Sequence, residues 1–323
     1  MNMTVVWVIV AAAVVAVGAA VATARASRLG HAAARWVAVA AGTVVTVVAT
    51  VAAVILALGL YRLRERDDHP LTDIEVTASA AALERGERLA RACAGCHSST
   101  RELPLDGSDD NFLEGLGTLH APNLTPGGPL GDRSDGRIAR AIREGVGVDG
   151  RPLLIMPSAF FHAMSDDDVA AIIAYLRTEP EIDDEVPERE IGPMGTLLIG
   201  AGMFPLAVQE PIDDEVEPPD TDDDEEWGEY TATIMACAEC HGDDFRGRNV
   251  GDGPQGPDIA HFADDWTAEE WRDTIRTGVD PEDNELDPDE MPWEEYSAAL
   301  TDGELEAIRV YVRTFAEDDD DDE

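Results

Sequence analysis

The chain has 323 residues, of which 67 are Asp or Glu and 23 are basic, every one of the latter arginine, for a formal charge of −44. Such a surface excludes nucleic acid as a partner, because its phosphates would be repelled. Aromatic residues amount to only 6%, few for a large independent core, and the length suits two or three compact units.

The acidity has two explanations: docking to basic partners, or adaptation to a salty exterior where the screening length falls to ~3 Å. The acidic residues are spread along the chain rather than gathered in one patch, which favours the second. Two uncharged apolar stretches come first, Thr4 to Ala24 and Trp36 to Tyr61. Each is near the length that crosses a ~30 Å hydrocarbon layer, so they are predicted to form a transmembrane hairpin over residues 1–66. A cleaved signal peptide is the alternative for the first, but Met1 to Val5 offers no basic leader. Trp36 and Tyr61 stand at the ends of the second span, where amphipathic rings favour the headgroup region. Charge alone does not orient the hairpin: Arg25, Arg28 and Arg35 in the connecting loop balance Arg62, Arg64 and Arg66 after the second span.

Next comes Cys93-Ala94-Gly95-Cys96-His97, repeated as Cys237-Ala238-Glu239-Cys240-His241, and the two copies use every cysteine in the chain. C-x-x-C-H is the attachment signature of c-type haem: two thiols add to the porphyrin vinyl groups and the adjacent histidine lies under the iron as an axial ligand. A four-thiolate zinc site or a redox pair would use the cysteines and leave both histidines unexplained. A histidine follows a given C-x-x-C by chance about one time in twenty or less, so two together argue for haem. Two covalent haems are expected, with Cys93, Cys96, Cys237 and Cys240 holding the porphyrins and His97 and His241 on the irons. A haem also supplies the apolar bulk that the low aromatic content withholds.

Two acidic, proline-bearing stretches, Glu179 to Glu190 and Glu210 to Glu226, read as linkers, and the tail over 317–323 is wholly acidic. Between the linkers, Ile191 to Gln209 is uncharged and broken by Pro193 and Pro205. The segment between those prolines is too short to span a bilayer. It is expected to be a helix packed between the domains or lying at the membrane surface.

The repeat extends beyond the cysteines. Each copy has a helix bearing Gly86-Glu87 or Gly228-Glu229, then Pro122-Asn123-Leu124 or Pro257-Asp258-Ile259. A helix ends at Ile142-Arg143-Glu144-Gly145-Val146 or Ile275-Arg276-Thr277-Gly278-Val279, and Met156-Pro157 or Met291-Pro292 follows. Last is an amphipathic helix, Val169, Ile172, Ile173 and Leu176 or Leu305, Ile308, Val312 and Phe315 forming its apolar stripe. A capping box opens it, Ser165 with Asp168 as a weaker variant and Thr301 with Glu304 as the full form.

Met156 and Met291 stand about fifty to sixty residues after their histidines, at matching places in the repeat. They are the candidate sixth ligands, each presented by a following proline, and a soft thioether raises the reduction potential. Met164, Met194, Met203 and Met235 read as adaptable core filler. His120, His162 and His261 are alternative ligands, but none recurs at a matching place in both copies. Pro122 and Pro257 either shape turns or offer carbonyls to the far ring N–H of the ligating histidines.

Both halves resemble class I c-type cytochrome domains, on C-x-x-C-H, the Pro-Asn-Leu or Pro-Asp-Ile segment, Met-Pro and the closing helix. The resemblance implies that the Pro122 and Pro257 carbonyls accept from the histidines and that Gly86 and Gly228 let the first helix cross the last closely. Ala121-Pro122-Asn123-Leu124-Thr125-Pro126 and Ile191-Gly192-Pro193-Met194-Gly195 further resemble dihaem or multihaem cytochrome subunits of membrane-bound dehydrogenases. In those subunits of alcohol dehydrogenases three haem motifs occur, where this chain has two. The expected fold is all-α: two tandem c-type cytochrome domains, 76–180 and 227–316, preceded by the transmembrane hairpin and joined by an acidic linker with an apolar helix over 181–226.

The resemblance implies an electron carrier rather than an enzyme, set in the plasma membrane by a multi-pass anchor. Haem is attached to such motifs on the outer side of the energy-conserving membrane, so the haem domains and both termini are expected outside, with the Arg25 to Arg35 loop in the cytoplasm. Its redox partners would be a dehydrogenase, a cytochrome or an oxidase of a respiratory chain. The rivals are a dihaem subunit of a haem-copper terminal oxidase, a dihaem peroxidase that keeps one iron open, and a structural or sensory membrane protein with other ligands on its cysteines. Nothing in the chain resembles a nucleotide loop, a catalytic triad or a protease zinc motif.

Overall fold

The computed structural model describes residues 3–28, 30–67, 69–71, 73–248 and 255–317. The acidic tail beyond 317 lies outside the described residues. Helices α1 (Met3–Ala26) and α2 (Ala32–Arg62) pack against one another, and both are long and apolar enough to cross a membrane. Most of their valines point outward, including Val14, Val17, Val37 and Val44, and so do Trp36 and Tyr61. In water that surface would be costly; in lipid it is not.

The first domain is built from α3 (Ala80–His97), the short strand β1 (Gly117–Thr118), α4 (Asp135–Arg143), α5 (Ser158–Phe161) and α6 (Asp166–Leu176). Ser79 opens α3 by accepting from the Ala82 N–H at 3.1 Å. Val169, Ile172, Ile173 and Leu176 are all buried, as their period required. Ser165 caps α6 by accepting from the Asp168 N–H, but the Asp168 carboxylate does not complete the box. It is engaged elsewhere, with Arg85 and Tyr230.

Strand β2 (Glu190–Ile191) pairs antiparallel with β1, Gly117 opposite Ile191, and leads into α7 (Pro193–Ala201), which Gly202 ends in a left-handed conformation. Helix α7 does not sit between the domains. It crosses α2: a Cβ on Gly59 would meet the Thr196 carbonyl oxygen at 2.0 Å, and one on Gly200 would meet that of Ile55 at 2.0 Å. Arg62 Nη1 donates to the Ile199 carbonyl at 2.8 Å. Leu63, Leu113, Leu154, Ile191 and Ile199 form a small apolar cluster at this junction of hairpin, domain and α7. Met194 and Met203, read as core filler, are instead exposed on and just beyond α7, whereas Met164 and Met235 are buried.

The intervening acidic segment is bound along much of its length to the first domain. Asn123 donates to the Ile182 carbonyl at 2.7 Å, the Ala207 N–H to that of Leu153 at 3.0 Å, the Gln209 N–H to that of Glu144 at 2.9 Å, and the Asp166 N–H to that of Val216 at 2.9 Å. The run from Asp222 to Glu226 is not all linker. Asp223 caps α8 (Asp224–Ile234), accepting from the Glu225 and Glu226 N–H groups, and the acids after it fill the first turn. Carboxylates are favoured there by the unsatisfied N–H groups of a helix start.

The second domain continues with α9 (Cys237–His241), α10 (Ile259–Asp265), α11 (Ala268–Thr277), α12 (Trp293–Ala299) and α13 (Asp302–Glu317). Thr301 and Glu304 form the full reciprocal box at the head of α13. The two domains repeat one another: α3 corresponds to α8 with α9, α4 to α11, α5 to α12 and α6 to α13. They also dock reciprocally, α12 on α3 and α5 on α8. One apolar cluster runs through both, from Leu89, Ile138 and Val169 to Tyr230, Ile234, Leu305 and Val312. The fold is thus helical, two cytochrome-like units behind an apolar two-helix hairpin, with a shared core in place of independent beads on a linker.

Candidate haem sites

Each C-x-x-C-H segment lies at or just beyond the end of a helix that is pinned from behind. A Cβ on Gly86 would meet the Ala171 carbonyl oxygen at 2.0 Å and Tyr175 Cβ at 3.0 Å; one on Gly228 would meet that of Ala307 at 2.0 Å and Tyr311 Cβ at 2.8 Å. Only a missing side chain lets α3 cross α6, and α8 cross α13, at that separation. Cys93, Cys96 and His97 then continue α3, while Cys237, Cys240 and His241 occupy α9 after a break at Ala236, whose φ is 57°.

The histidines are held alike. His97 Nδ1 lies 2.9 Å from the Pro122 carbonyl oxygen and His241 Nδ1 lies 2.9 Å from that of Pro257. A carbonyl only accepts, so Nδ1 carries the proton and Nε2 keeps its lone pair. Burial lowers the pKa of both imidazoles, which favours the neutral form that a metal needs. Gly256 completes the second cradle: its N–H donates to the Cys240 carbonyl at 2.7 Å, and a Cβ there would lie 2.5 Å from His241 Nδ1.

All four cysteines are free of disulfides. Burial pushes the Cys93 and Cys237 thiols up to about 12. A thioredoxin-type pair would need the opposite shift, toward a stable thiolate. Among the described residues no three His, Cys, Asp or Glu side chains gather where they could hold a metal ion, which does not suit a zinc ribbon. Two thiols beside an imidazole whose Nε2 keeps its lone pair, in each domain, fit a covalently attached haem.

Met156 and Met291 sit in matching turns. The Ser158 N–H donates to the Met156 carbonyl at 2.8 Å and the Trp293 N–H to that of Met291 at 2.7 Å. Between them Pro157 has φ −80° and ψ 50°, and Pro292 has φ −75° and ψ 60°. These are inverse γ-turns, with proline fixing the central φ. Both methionines are half-buried. Of the alternative ligands, His162 Nε2 is engaged with the Glu210 carbonyl at 3.0 Å and His261 with Asp265 at 3.2 Å, whereas His120 Nδ1 is buried without a hydrogen-bond partner.

Several residues at this interface were not singled out by the sequence. Arg85 grips Asp168 through two bonds of 2.8 Å, reaches Glu304 of the second domain, and lies 5.4 Å over the Trp227 ring. Arg88 donates to Glu304 Oε2 at 2.7 Å. In the reverse sense, Tyr230 donates to Asp168 Oδ2 at 2.7 Å. Arg88 and Tyr230 each stand two residues after the crossing glycine, and Asp168 and Glu304 each stand three after the cap, so the repeat itself carried the signal. Glu295 of α12 lies against the last turns of α3, at the first attachment motif: a Cβ on Gly95 would meet both its carboxylate oxygens at 2.9 Å.

Both halves also match known protein families. Residues 83–179 match the family described as Cytochrome c, and residues 224–312 match Cytochrome C oxidase, cbb3-type, subunit III. The fructose dehydrogenase cytochrome subunit of Gluconobacter japonicus is 27% identical over 188 residues, covering 53% of this chain and 37% of that protein. A subunit of the nicotinate dehydrogenase of Pseudomonas putida is 36% identical over 121 residues, 35% of this chain and 10% of that protein. The gluconate 2-dehydrogenase cytochrome c subunit of Pantoea cypripedii is 36% identical over 103 residues, 30% of this chain and 23% of that protein. The matched region therefore spans well under half the length of each of these relatives. After its apolar hairpin, the chain consists of two tandem c-type cytochrome domains that resemble those of dehydrogenase cytochrome subunits.

Proposed function

We propose that this protein is a membrane-anchored dihaem cytochrome c. It would pass single electrons from a dehydrogenase or other donor at the outer membrane face to an acceptor cytochrome or oxidase. Cys93 and Cys96 hold one haem and Cys237 and Cys240 the other, with His97 and Met156, and His241 and Met291, on the two irons. The domains divide at 76–180 and 227–316, and the hairpin over 1–66 fixes both to the plasma membrane on its extracytoplasmic side. The haem supplies the reversible one-electron chemistry. The chain's residues orient the imidazoles through the Pro122 and Pro257 carbonyls, exclude water with the shared core, and hold the two attachment helices within one docked unit.

The observation that carries this reading is the duplicate geometry: the same 2.9 Å histidine–proline contact and the same Met-Pro turn in both halves. Intact mass and a pyridine haemochrome assay on the purified chain test it. Two haems per polypeptide are expected; one or none overturns the dihaem assignment. The match of residues 224–312 to an oxidase subunit III family favours, as a second reading, a place in a haem-copper oxidase. Copurification with oxidase rather than dehydrogenase subunits would decide for it.

A further inference from the structure

A cavity of about 510 Å³ opens beside the foot of the hairpin, lined by Arg66, Asp132, Arg133, Ser134, Arg137 and Asp149 among others. Three arginines in one cavity run against the composition of a chain with 67 acids and 23 bases. Of the two carboxylates there, Asp149 is already committed: Arg151 Nε donates to its Oδ2 at 2.5 Å and the Arg151 N–H to its Oδ1 at 3.0 Å. Among the described lining residues, that leaves Asp132 as the one uncommitted carboxylate beside the three guanidinium groups. Arg137 is held in place by donation from Nη1 to the Val148 carbonyl at 3.0 Å, which leaves further N–H donors on its fork. Ser134 stands before the nine-residue α4, and its hydroxyl makes no capping bond, so the helix start adds to the positive end of the cavity.

Position says what such a cavity meets. Arg66 follows α2 by four residues, just past Tyr61 at the end of the apolar span. The Asp67 N–H donates to the Gly150 carbonyl at 2.9 Å, tying the chain that leaves the span to the loop that walls the cavity. On the membrane-anchored reading, which this inference rests on, the cavity lies at headgroup depth. Arginine forks match the paired oxygens of a phosphate group. A charge of −44 depletes free anions around the protein, whereas a lipid phosphate is delivered in the plane of the bilayer by its tails.

We infer that Arg66, Arg133 and Arg137 bind the phosphodiester of an anionic phospholipid headgroup, fixing the first haem domain against the membrane surface. The test uses the full-length haem-loaded protein. Flotation with phosphatidylcholine vesicles first reports anchoring alone, and a chain that stays in the soluble fraction overturns the anchor and this lipid site with it. Native mass spectrometry in detergent then counts dioleoylphosphatidylglycerol against dioleoylphosphatidylcholine retained per chain. The parent protein should keep one phosphatidylglycerol selectively. The exposed pair Arg66→Ala and Arg133→Ala should weaken that preference by roughly thirty-fold, as expected for two surface arginines, with an unchanged Soret spectrum. Arg272→Ala, in the second domain, should change nothing. Equal retention by the double variant and the parent, or displacement of the lipid by an equal concentration of inorganic phosphate, would overturn the site.

Discussion

Arg88 of the first domain donates to Glu304 of the second at 2.7 Å, and from the same nitrogen to the Ala299 carbonyl at 3.1 Å. Glu304 also receives Arg85 and caps α13 through the Thr301 N–H at 2.7 Å, while its side chain is only 4% exposed. Two arginines and two carboxylates, Asp168 at the head of α6 and Glu304 at the head of α13, thereby lock both closing helices into the domain boundary. Removing one partner of such a buried pair strands the others. Glu304→Ala should weaken domain docking by about 3–5 kcal/mol, seen as two thermal transitions in place of one. Glu304→Gln should do less. A single transition at the parental midpoint for the alanine variant would remove this network from the docking account.

The same carboxylate sets an acid limit. Burial raises Glu304, but Arg85, the Thr301 N–H and Arg88 outweigh it, so it titrates below its ordinary value of 4.5. A depressed carboxylate contributes stability that is full above the unfolded value and is lost as pH falls through the folded one. The docked state should therefore weaken below about pH 4.5. Glu304→Gln should flatten that part of the curve of thermal midpoint against pH.

Glu179 has the opposite sign. It is buried, accepts from the Leu105 N–H at 3.2 Å, and burial chiefly raises its pKa above 4.5. Its favourable contribution is present below the unfolded value and lost as pH rises through the folded value. Glu179→Gln keeps the acceptor and drops the charge, so it should melt higher than the parent at neutral pH and lose that advantage in acid. An equal midpoint at every pH would show that the carboxylate is not strained.

The crossing glycines offer a steric test. Gly86→Ala and Gly228→Ala each drive a methyl into a backbone carbonyl 2.0 Å away. Each should cost about 1–3 kcal/mol and lower the yield of haem-loaded protein. Gly303→Ala is the control: the nearest atom to its added Cβ is 4.0 Å off, and alanine suits a helix better. Denaturant titration of the three variants separates crowding from a general intolerance of substitution.

Replacing either candidate sulfur ligand should open one haem. Met156→Ala or Met291→Ala is expected to admit carbon monoxide at one of two reduced haems and to lower that haem's potential, because a soft thioether no longer favours ferrous iron. An unchanged spectrum and potential would free that methionine from the role. The Met-Pro turns are local, so the rest of each domain should keep its unfolding free energy within about 1 kcal/mol of the parent.

Much of this arrangement was legible in the chain because the informative patterns are local or repeated. Adjacent Cys-x-x-Cys-His residues must lie together whatever the fold, a 3.6-residue stripe must face a core, and Gly86 and Gly228 recur ahead of the same motif. The acidic run at Asp222 to Glu226 misled, since charge density alone does not separate a solvated linker from a helix start whose N–H groups favour carboxylates. Asp168 misled in a related way: its place three residues after Ser165 suggests a cap, but Arg85 and Tyr230 hold it more strongly.

The sequence by itself determined the two Cys-x-x-Cys-His motifs, the helices that carry them, the duplication and the two long apolar helices, since each depends on residues near one another along the chain. Tertiary structure decided that the linker lies bound to the first domain, that α7 crosses α2 at Gly59 and Gly200, and that α12 docks on α3 and α5 on α8 across one continuous core. Those contacts join residues far apart in the chain, and their free energy comes from complementary surfaces and paired charges that no local period encodes.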